Sequence, residues 1–573
     1  MKTRTYGWVQ NPSSFKNLKK VVQIFDSKSV HYNNLTLKLV PDYIYFEEIR
    51  EPLLKKLKNK IQTFTYRELV GRSVDSTGHP PKARKNAVGD SLIQVSIIPQ
   101  QTKSNGKKWT DNWTADGFLR WAVSLGFIIP NRETDSYEIS EIGRLFSASI
   151  DDSDNEKEIL RDVLLKYPPA TRVLSILNEA PNTMRTKFYI GDRLGFRGEK
   201  GFTSYNEDIM FEWLESCSNS DDKRKIKADI EGTSDKYARG ICNWLKNVQL
   251  VKKGEVIKED SRGGKVSFAG YTITGKGIHA LNGKKKEKFI MWEFLATDGE
   301  NRDYIRTRRA YILKFLKNTN SLDILYEKLK LKGFEDSLEI IRVDIENLNN
   351  FGIRISLKDN EVKLKDSFND FEIPELNLTE VLKNEALEKK KAEFLRTTGL
   401  PMKYIELLEI AYDSKRNRDF EIVTSELFKN VYKLNSFHLG GGRKPDGVVF
   451  SDKFGIIIDT KAYSKGYPKN ISQEDEMIRY IEDNKERSLE RNKNEWWGIF
   501  DPNIPSDSFY YLWISSRFIG EFHEQLKHTS YVTGVNGGAL NVEQLLYGAA
   551  KINKGILNPA ELPNYLQNEE IFF

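Results

Sequence analysis

Cysteine is nearly absent from this chain: only Cys217 and Cys242 stand among 573 residues. Without paired spacing or a third thiol, neither a disulfide framework nor a thiolate zinc site can be assembled, and a reducing compartment is expected. Histidine is also scarce. The six, His31, His79, His279, His438, His523 and His528, include no His-x-x-x-His helix pair, so a zinc hydrolase signature is missing. His438 accordingly reads as a structural residue rather than a general base. No stretch approaches the roughly 18 apolar residues of a membrane helix, and the opening MKTRTYGWVQ lacks the apolar core of a secretory signal. A cytoplasmic protein with no membrane partner is expected. Gly440–Gly442 lacks the Gly-Lys-Ser/Thr ending of a phosphate loop.

What is present describes a folded, multidomain protein. Apolar residues make up 39%, aromatic residues 12% and charged residues 30%, and a chain of this length is organised in about three to five domains. The net charge of +7 and pI near 8.8 suit a polyanionic partner without requiring one.

An internal repeat runs through the first two thirds. LRWAVSLGFI (119–128) has helical spacing and is followed by YEISEIGRLF (137–146), a short strand turning into a helix. ICNWLKNVQLV (241–251) and YTITGKGIHAL (271–281) repeat the two halves, pairing Trp121 with Trp244, Tyr137 with Tyr271 and Gly143 with Gly277. VDIENLNNFGI (343–353) with EVKLKD (361–366) is a weaker third copy. A helix, a hydrophobic turn and a returning hairpin outline a winged helix, a helix-turn-helix variant that can set one helix in a DNA groove. The predicted fold class is therefore multidomain α+β and α/β: three winged-helix-like recognition subdomains, then a domain with a central mixed sheet flanked by helices.

Beyond Pro374 the texture changes. LTEVLKNEALEKKKAEFLRTTGLP (378–401) reads as one charged helix capped at Thr379 and closed by Gly399 and Pro401. Helices at 402–412, 417–432 and 472–490 then alternate with strands at 447–459 and 509–515. The expected division is 1–150, 151–285 and 286–374 for the recognition subdomains, 375–400 for a linker helix and 401–573 for the last domain.

The chemistry gathers in GGRKPDGVVFSDKFGIIIDTKAY (441–463). Alternate side chains of a strand share a face, so Asp459 and Lys461 project together and Thr460 points away. Ile456, Ile457 and Ile458 bury that strand on both sides. Asp446 follows Pro445 in a turn leading into GVVF, so a hairpin would set it beside Asp459. Two converging carboxylates repel unless a cation neutralises them, and Mg²⁺, with Mn²⁺ as a substitute, suits such oxygen ligands. Asp446, Asp459 and the Thr460 backbone carbonyl are the candidate metal ligands; Asp446, Asp459 and Lys461 are the candidate catalytic set of a metal-dependent phosphodiesterase. Taken alone, Pro-Asp followed by Asp-x-Lys arises often by chance.

HLGGGRKPDG (438–447), IDTKAYSKGY (458–467), DEMIRYIEDN (475–484) and NEWW (494–497) resemble the cleavage domain of the FokI-like type IIS restriction endonucleases of the PD-(D/E)xK superfamily. GWVQNP (7–12), DNWTADGFLRWA (111–122), GFTS (201–204), SDKYAR (234–239) and RTRRAYIL (306–313) extend the resemblance through the recognition half, in order. It implies a bacterial cytoplasmic enzyme that reads a short asymmetric duplex DNA sequence and cuts both strands at a fixed distance outside it. It also implies pairing of two nuclease domains through Asp475 and Arg479, and a companion DNA methyltransferase. Family DNA-contacting positions fall on Asn11, Arg84, Gln100, Trp113, Glu231, Lys236 and Arg239. Two departures bear on the target. The segment 71–90 differs in length and content around Arg84, and Ala228 stands where the family has a DNA-reading asparagine, whose hydrogen bonds a methyl group cannot make.

Two other classes remain open from the residues: a winged-helix DNA-binding regulator whose nuclease fold has lost activity, and a repair nuclease that reads DNA structure rather than sequence. The intact Asp446, Asp459 and Lys461 argue against the first.

Overall fold

In the computed structural model, residues 3–10, 12–71, 89–97, 101–102, 108–109, 112–217, 219–259, 264–283 and 285–573 are described. The first repeat comprises β1 (Phe64–Thr65), α1 (Asn112–Ser124), β2 (Ile128–Asn131), β3 (Ser136–Ile139) and α2 (Glu141–Ala148), with its sheet ordered β1-β3-β2. The second has β4 (Arg185–Thr186), α3 (Lys187–Gly191), α4 (Glu207–Glu215), α5 (Ser220–Thr233), α6 (Lys236–Asn247), β5 (Val251–Glu259), β6 (Lys265–Ile273) and α7 (Gly275–Asn282). Its sheet runs β4-β6-β5, the same plan.

The matched residues do matched jobs. Ser140 accepts the Gly143 N–H at 3.0 Å to cap α2, and Thr274 accepts the Gly277 N–H at 3.0 Å to cap α7. A Cβ on Gly143 would stand 2.2 Å from the Phe127 carbonyl oxygen, and one on Gly277 2.3 Å from that of Leu250. Each wing therefore needs glycine there because its helix lies against the preceding backbone. Trp121 and Trp244 stack on each other with centroids 4.8 Å apart, so the two units share an aromatic seam.

The third unit has α8 (Arg302–Leu316), α9 (Leu338–Phe351) and the antiparallel pair β7 (Ile355–Lys358) and β8 (Glu361–Leu364). No helix follows this hairpin directly; Phe368 instead bridges to Lys288. RTRRAYIL lies in α8, where Arg308 and Arg309 both bond buried Asp344 of α9, at 2.6 and 2.8 Å. One continuous hydrophobic core joins the three units.

The charged segment that follows is two helices, Leu378–Val381 and α10 (Glu385–Thr398). Asn384, not Thr379, accepts the capping N–H, from Leu387, and Gly399 ends α10 with φ 65°, as its freedom from a Cβ allows.

The last domain contains α11 (Asn417–Asn430), β9 (Asn435–His438), β10 (Gly447–Phe450), β11 (Gly455–Lys461), α12 (Ile471–Glu486), β12 (Phe509–Ser515), α13 (Phe522–Thr533), β13 (Gly537–Asn541), α14 (Val542–Asn553) and β14 (Glu569–Glu570). The expected single strand 447–459 is a hairpin turning at Ser451–Phe454, α12 stops before 490 because Arg487 turns left-handed with φ 48°, and 402–412 contains two short helices, Met402–Ile405 and Leu407–Ile410. Six strands run in the order β9-β10-β11-β12-β13-β14, the first three antiparallel and the rest parallel. Ile456 and Ile458 face the core containing α11 and α14; Ile457 faces the one containing α12 and α13. Helices cover both faces of the sheet, which is why β11 is apolar without alternation.

Candidate active site and nucleic-acid interface

The β10–β11 hairpin brings the two candidate acids, Asp446 and Asp459, together. Gly447 pairs with Ile458, so the register continued by one residue sets Asp446 opposite Asp459. Asp446 Oδ2 accepts the Thr460 N–H at 2.8 Å and the Thr460 hydroxyl at 3.0 Å. Thr460 therefore does not merely point away; it fixes the Asp446 carboxylate. Lys461 Nζ lies 2.6 Å from Asp459 Oδ2.

The electrostatics are strained without a cation. Burial, then the charge of Asp446, pushes the Asp459 carboxyl well above the ordinary carboxylate range, against the lowering pull of Lys461. Burial lowers the affinity of Lys461 for its proton, but Asp459 and Asp446 outweigh it and raise its pKa above that of a free lysine. Lys461 thus stays an ammonium donor. A third acid joins them. Glu421 of α11 is pushed up to about 9 by burial and then by Asp446, with Asp459 adding to the effect. Sequence reasoning missed Glu421: it lies 25 residues before Asp446 on an amphipathic helix with nothing in its spacing to mark it. Among the described residues no three His, Cys, Asp or Glu side chains stand close enough to hold one ion by themselves.

Asp446 and Glu421 open onto a cleft of about 750 Å³ between the second winged-helix unit and the last domain. Asp446, Glu421 and His438 line one wall, and Trp213, Asp222 and Asp229 the other. The Trp213 indole N–H donates to the Leu439 carbonyl at 2.8 Å, and its ring lies edge-on to buried His438 at 4.4 Å. His438 is fully buried, and burial lowers its pKa to about 4. Arg418 pairs with Asp229, Lys429 with Glu212, and the Tyr205 hydroxyl donates to Asp419 at 3.1 Å.

Asp475 and Arg479 are both exposed on α12. They do not pair with each other, Arg479 lying 3.9 Å from Glu476 instead. Of the expected DNA contacts, Asn11, Arg84 and Gln100 fall outside the described residues. Trp113 is 58% exposed at the start of α1, an unusual position for a large indole. Glu231, Lys236 and Arg239 cluster at the α5–α6 joint, and Ala228 is exposed on α5. Glu231 Oε1 accepts the Ala269 N–H of β6 at 3.0 Å, and Arg239 donates to the Glu231 carbonyl.

Winged-helix units carrying an appended mixed sheet, with two acids and a lysine at the end of a central hairpin, define a restriction-type nuclease with separate recognition and cleavage parts. Four family profiles match in order along the chain: "FokI, recognition domain, subdomain 1" matches residues 4–149, "FokI, recognition domain, subdomain 2" 156–284, "FokI, D3 domain" 295–360 and "FokI, cleavage domain" 381–572. The chain belongs to the FokI family of type II restriction enzymes. It is 39% identical over 591 residues to the type II restriction enzyme FokI of Planomicrobium okeanokoites, covering all of both chains. It is 30% identical over 588 residues to StsI of Streptococcus sanguinis, covering 97% of this chain and 94% of that one. The solved structure of restriction endonuclease FokI bound to DNA superimposes with a TM-score of 0.92 at 39% identity, and a second structure of restriction endonuclease FokI with 0.89 at 38%, each covering both chains fully.

Proposed function

We propose that the protein binds a short asymmetric duplex DNA sequence and hydrolyses both strands at a fixed distance outside it, as a type IIS restriction endonuclease of the bacterial cytoplasm. The observation carrying this is the hairpin register that sets Asp446 opposite Asp459 with Lys461 at 2.6 Å from the latter, in a chain collinear with FokI over its full length. The donor set fits Mg²⁺, or Mn²⁺ in its place. Buried Asp459 and the half-buried Asp446 opposite it have one lysine beside Asp459, which leaves the pair under-neutralised, and hard cations favour carboxylate and carbonyl oxygen. Asp446, Asp459 and the Thr460 carbonyl would hold the ion, which when bound supplies positive charge for the scissile phosphate and acidifies a nucleophilic water. Lys461, a permanent donor, orients that water and stabilises charge developing on the phosphate oxygens. The water oxygen forms the new bond to phosphorus as the P–O bond to the departing strand breaks.

The recognition subdomains are taken as 1–150, 151–285 and 286–374, the linker as 375–400 and the nuclease as 401–573. Asn11, Arg84, Gln100, Trp113, Glu231, Lys236 and Arg239 would contact DNA; Ala228 leaves one base pair read differently from the family pattern. Among the described residues there is one such acid pair, so cutting two strands calls for a second nuclease domain. Asp475 and Arg479, exposed and unpaired with each other, would meet Arg479 and Asp475 of another copy across a two-fold axis. A companion methyltransferase would protect the host's sites.

The decisive experiment is Asp459→Ala on a plasmid substrate with Mg²⁺. Discrete fragments from the natural chain and none from the variant are expected, with the bound duplex still shifted in a gel; unchanged cleavage overturns the assignment. Run-off sequencing of the digest reads the site and offset, and a smear without discrete fragments would favour a structure-reading nuclease.

A further inference from the structure

We propose that Lys187 is a positioning residue for base readout: from inside the second recognition unit its ammonium fixes the joint between α5 and α6, and so aims Glu231, Lys236 and Arg239 at the DNA. This rests on the reading of those three residues as DNA contacts.

Lys187 is the first residue of α3 and only 1% exposed. Its Nζ donates to the carbonyls of Ile230 at 2.7 Å, Ser234 at 2.9 Å and Glu231 at 3.2 Å. An ammonium has three hydrogens, and here three carbonyls at the end of one helix take them. Those carbonyls lie where an α-helix runs out of its own N–H partners, and a cation there also meets the negative end of the helix dipole. The same helix grips the other side of the joint. Asp235, the residue before α6, has a left-handed φ of 46°, and its carboxylate presses on Gly191 so closely that a Cβ there would come within 1.9 Å of Oδ1. Arg239 then donates to the carbonyl of Glu231, which Lys187 also holds, while the Glu231 carboxylate accepts the Ala269 N–H at 3.0 Å. Lys236 and Arg239 occupy the first turn of α6, so their origin and direction follow the joint.

A mispointed joint affects base and phosphate contacts differently. Phosphate attraction is long-ranged and tolerates displacement; hydrogen bonds to base edges do not. Loss of Lys187 should therefore erode discrimination while sparing charge-driven binding. The positional inference is tested with Lys187→Met, Lys187→Gln and Lys187→Arg in the full chain, using fluorescence anisotropy on a duplex carrying the site found by run-off sequencing and on a scrambled duplex. In Lys187→Met and Lys187→Gln the ratio of specific to scrambled affinity should fall about tenfold to a hundredfold, the scale of one to two base-pair mismatches, with the salt slope unchanged. Lys187→Arg, which keeps the cation and its donors, should recover most of the ratio. If Lys187→Met fails to fold, Lys187→Gln decides. An unchanged ratio in the folded variants, or an equal fall on both duplexes, overturns the proposal. Lys236→Ala and Arg239→Ala are run beside them. If those two leave both affinities untouched, the contact reading fails; if they weaken binding and the Lys187 variants keep the ratio, the positioning role alone fails.

Discussion

Asp459 and Lys461 could be placed on one face of a strand from two-residue periodicity alone, because β geometry is local. Glu421 could not. Its approach to the pair depends on how α11 packs against the sheet, which is a long-range contact with no local signature. Thr460 illustrates the intermediate case: its position in the strand was readable, but its hydrogen bonds to Asp446 were visible only once the hairpin closed. Burial elsewhere also sets a pH limit. His31 is 8% exposed, bonds Ser96 at 2.9 Å, and burial followed by the nearby Lys20 lowers its pKa from 6.5 to about 4. Between those values the unfolded chain binds more protons than the folded one. Stability from this residue is complete above pH 6.5 and is lost as pH falls toward 4, by a few kcal/mol in all at about 1.4 kcal/mol per unit. Urea unfolding across pH 4 to 7 should show this acid slope, and His31→Gln should flatten it.

At the scale of elements, the first two repeats were legible because each needs a hydroxyl cap, a close-packed glycine and a buried tryptophan at matching positions. Placing alanine at Gly277 forces a Cβ toward the Leu250 carbonyl, and overpacking of this kind costs about 1–3 kcal/mol. A lower denaturation midpoint with an unchanged slope is expected, and Gly143→Ala should behave alike. Boundaries were less legible. The charged segment after Pro374 is split at Leu382–Asn384, where Asn384 caps a new helix by accepting the Leu387 N–H. The α12 surface carries its own prediction. Asp475→Ala should leave DNA binding within about twofold but reduce double-strand cutting tenfold or more at low enzyme concentration, with partial recovery as enzyme is raised, since about 1.4 kcal/mol of lost pairing shifts a dimer equilibrium tenfold. Sedimentation of the DNA-bound enzyme would report the same shift.

For the whole molecule, the relation between recognition and cleavage parts is the feature of most consequence. The cleft of about 750 Å³ that Asp446 and Glu421 line is walled on its other side by the second recognition unit. Trp213, Asp229, Glu212 and Tyr205 hold the cleavage part from the recognition side through Leu439, Arg418, Lys429 and Asp419. Trp213→Phe keeps the ring but removes the hydrogen bond to Leu439, a loss of about 1 kcal/mol. Nicking of a plasmid that lacks the site should rise about fivefold, with site-directed cutting retained; no rise would show that this contact does not restrain the domain.

The sequence by itself determined the class of this protein: the apolar strand ending in Asp459-Thr460-Lys461, the Pro-Asp turn before it and the wing repeats depend on short-range geometry, and their order along the chain carries the family. Tertiary structure alone decided which groups act on that strand from afar. Glu421 reaches it by helix packing, Lys187 meets the α5 terminus by burial in a different helix, and the recognition unit docks on the cleavage part through contacts more than 180 residues apart in sequence. Such contacts arise from the fit of whole surfaces, and no local pattern of residues encodes them.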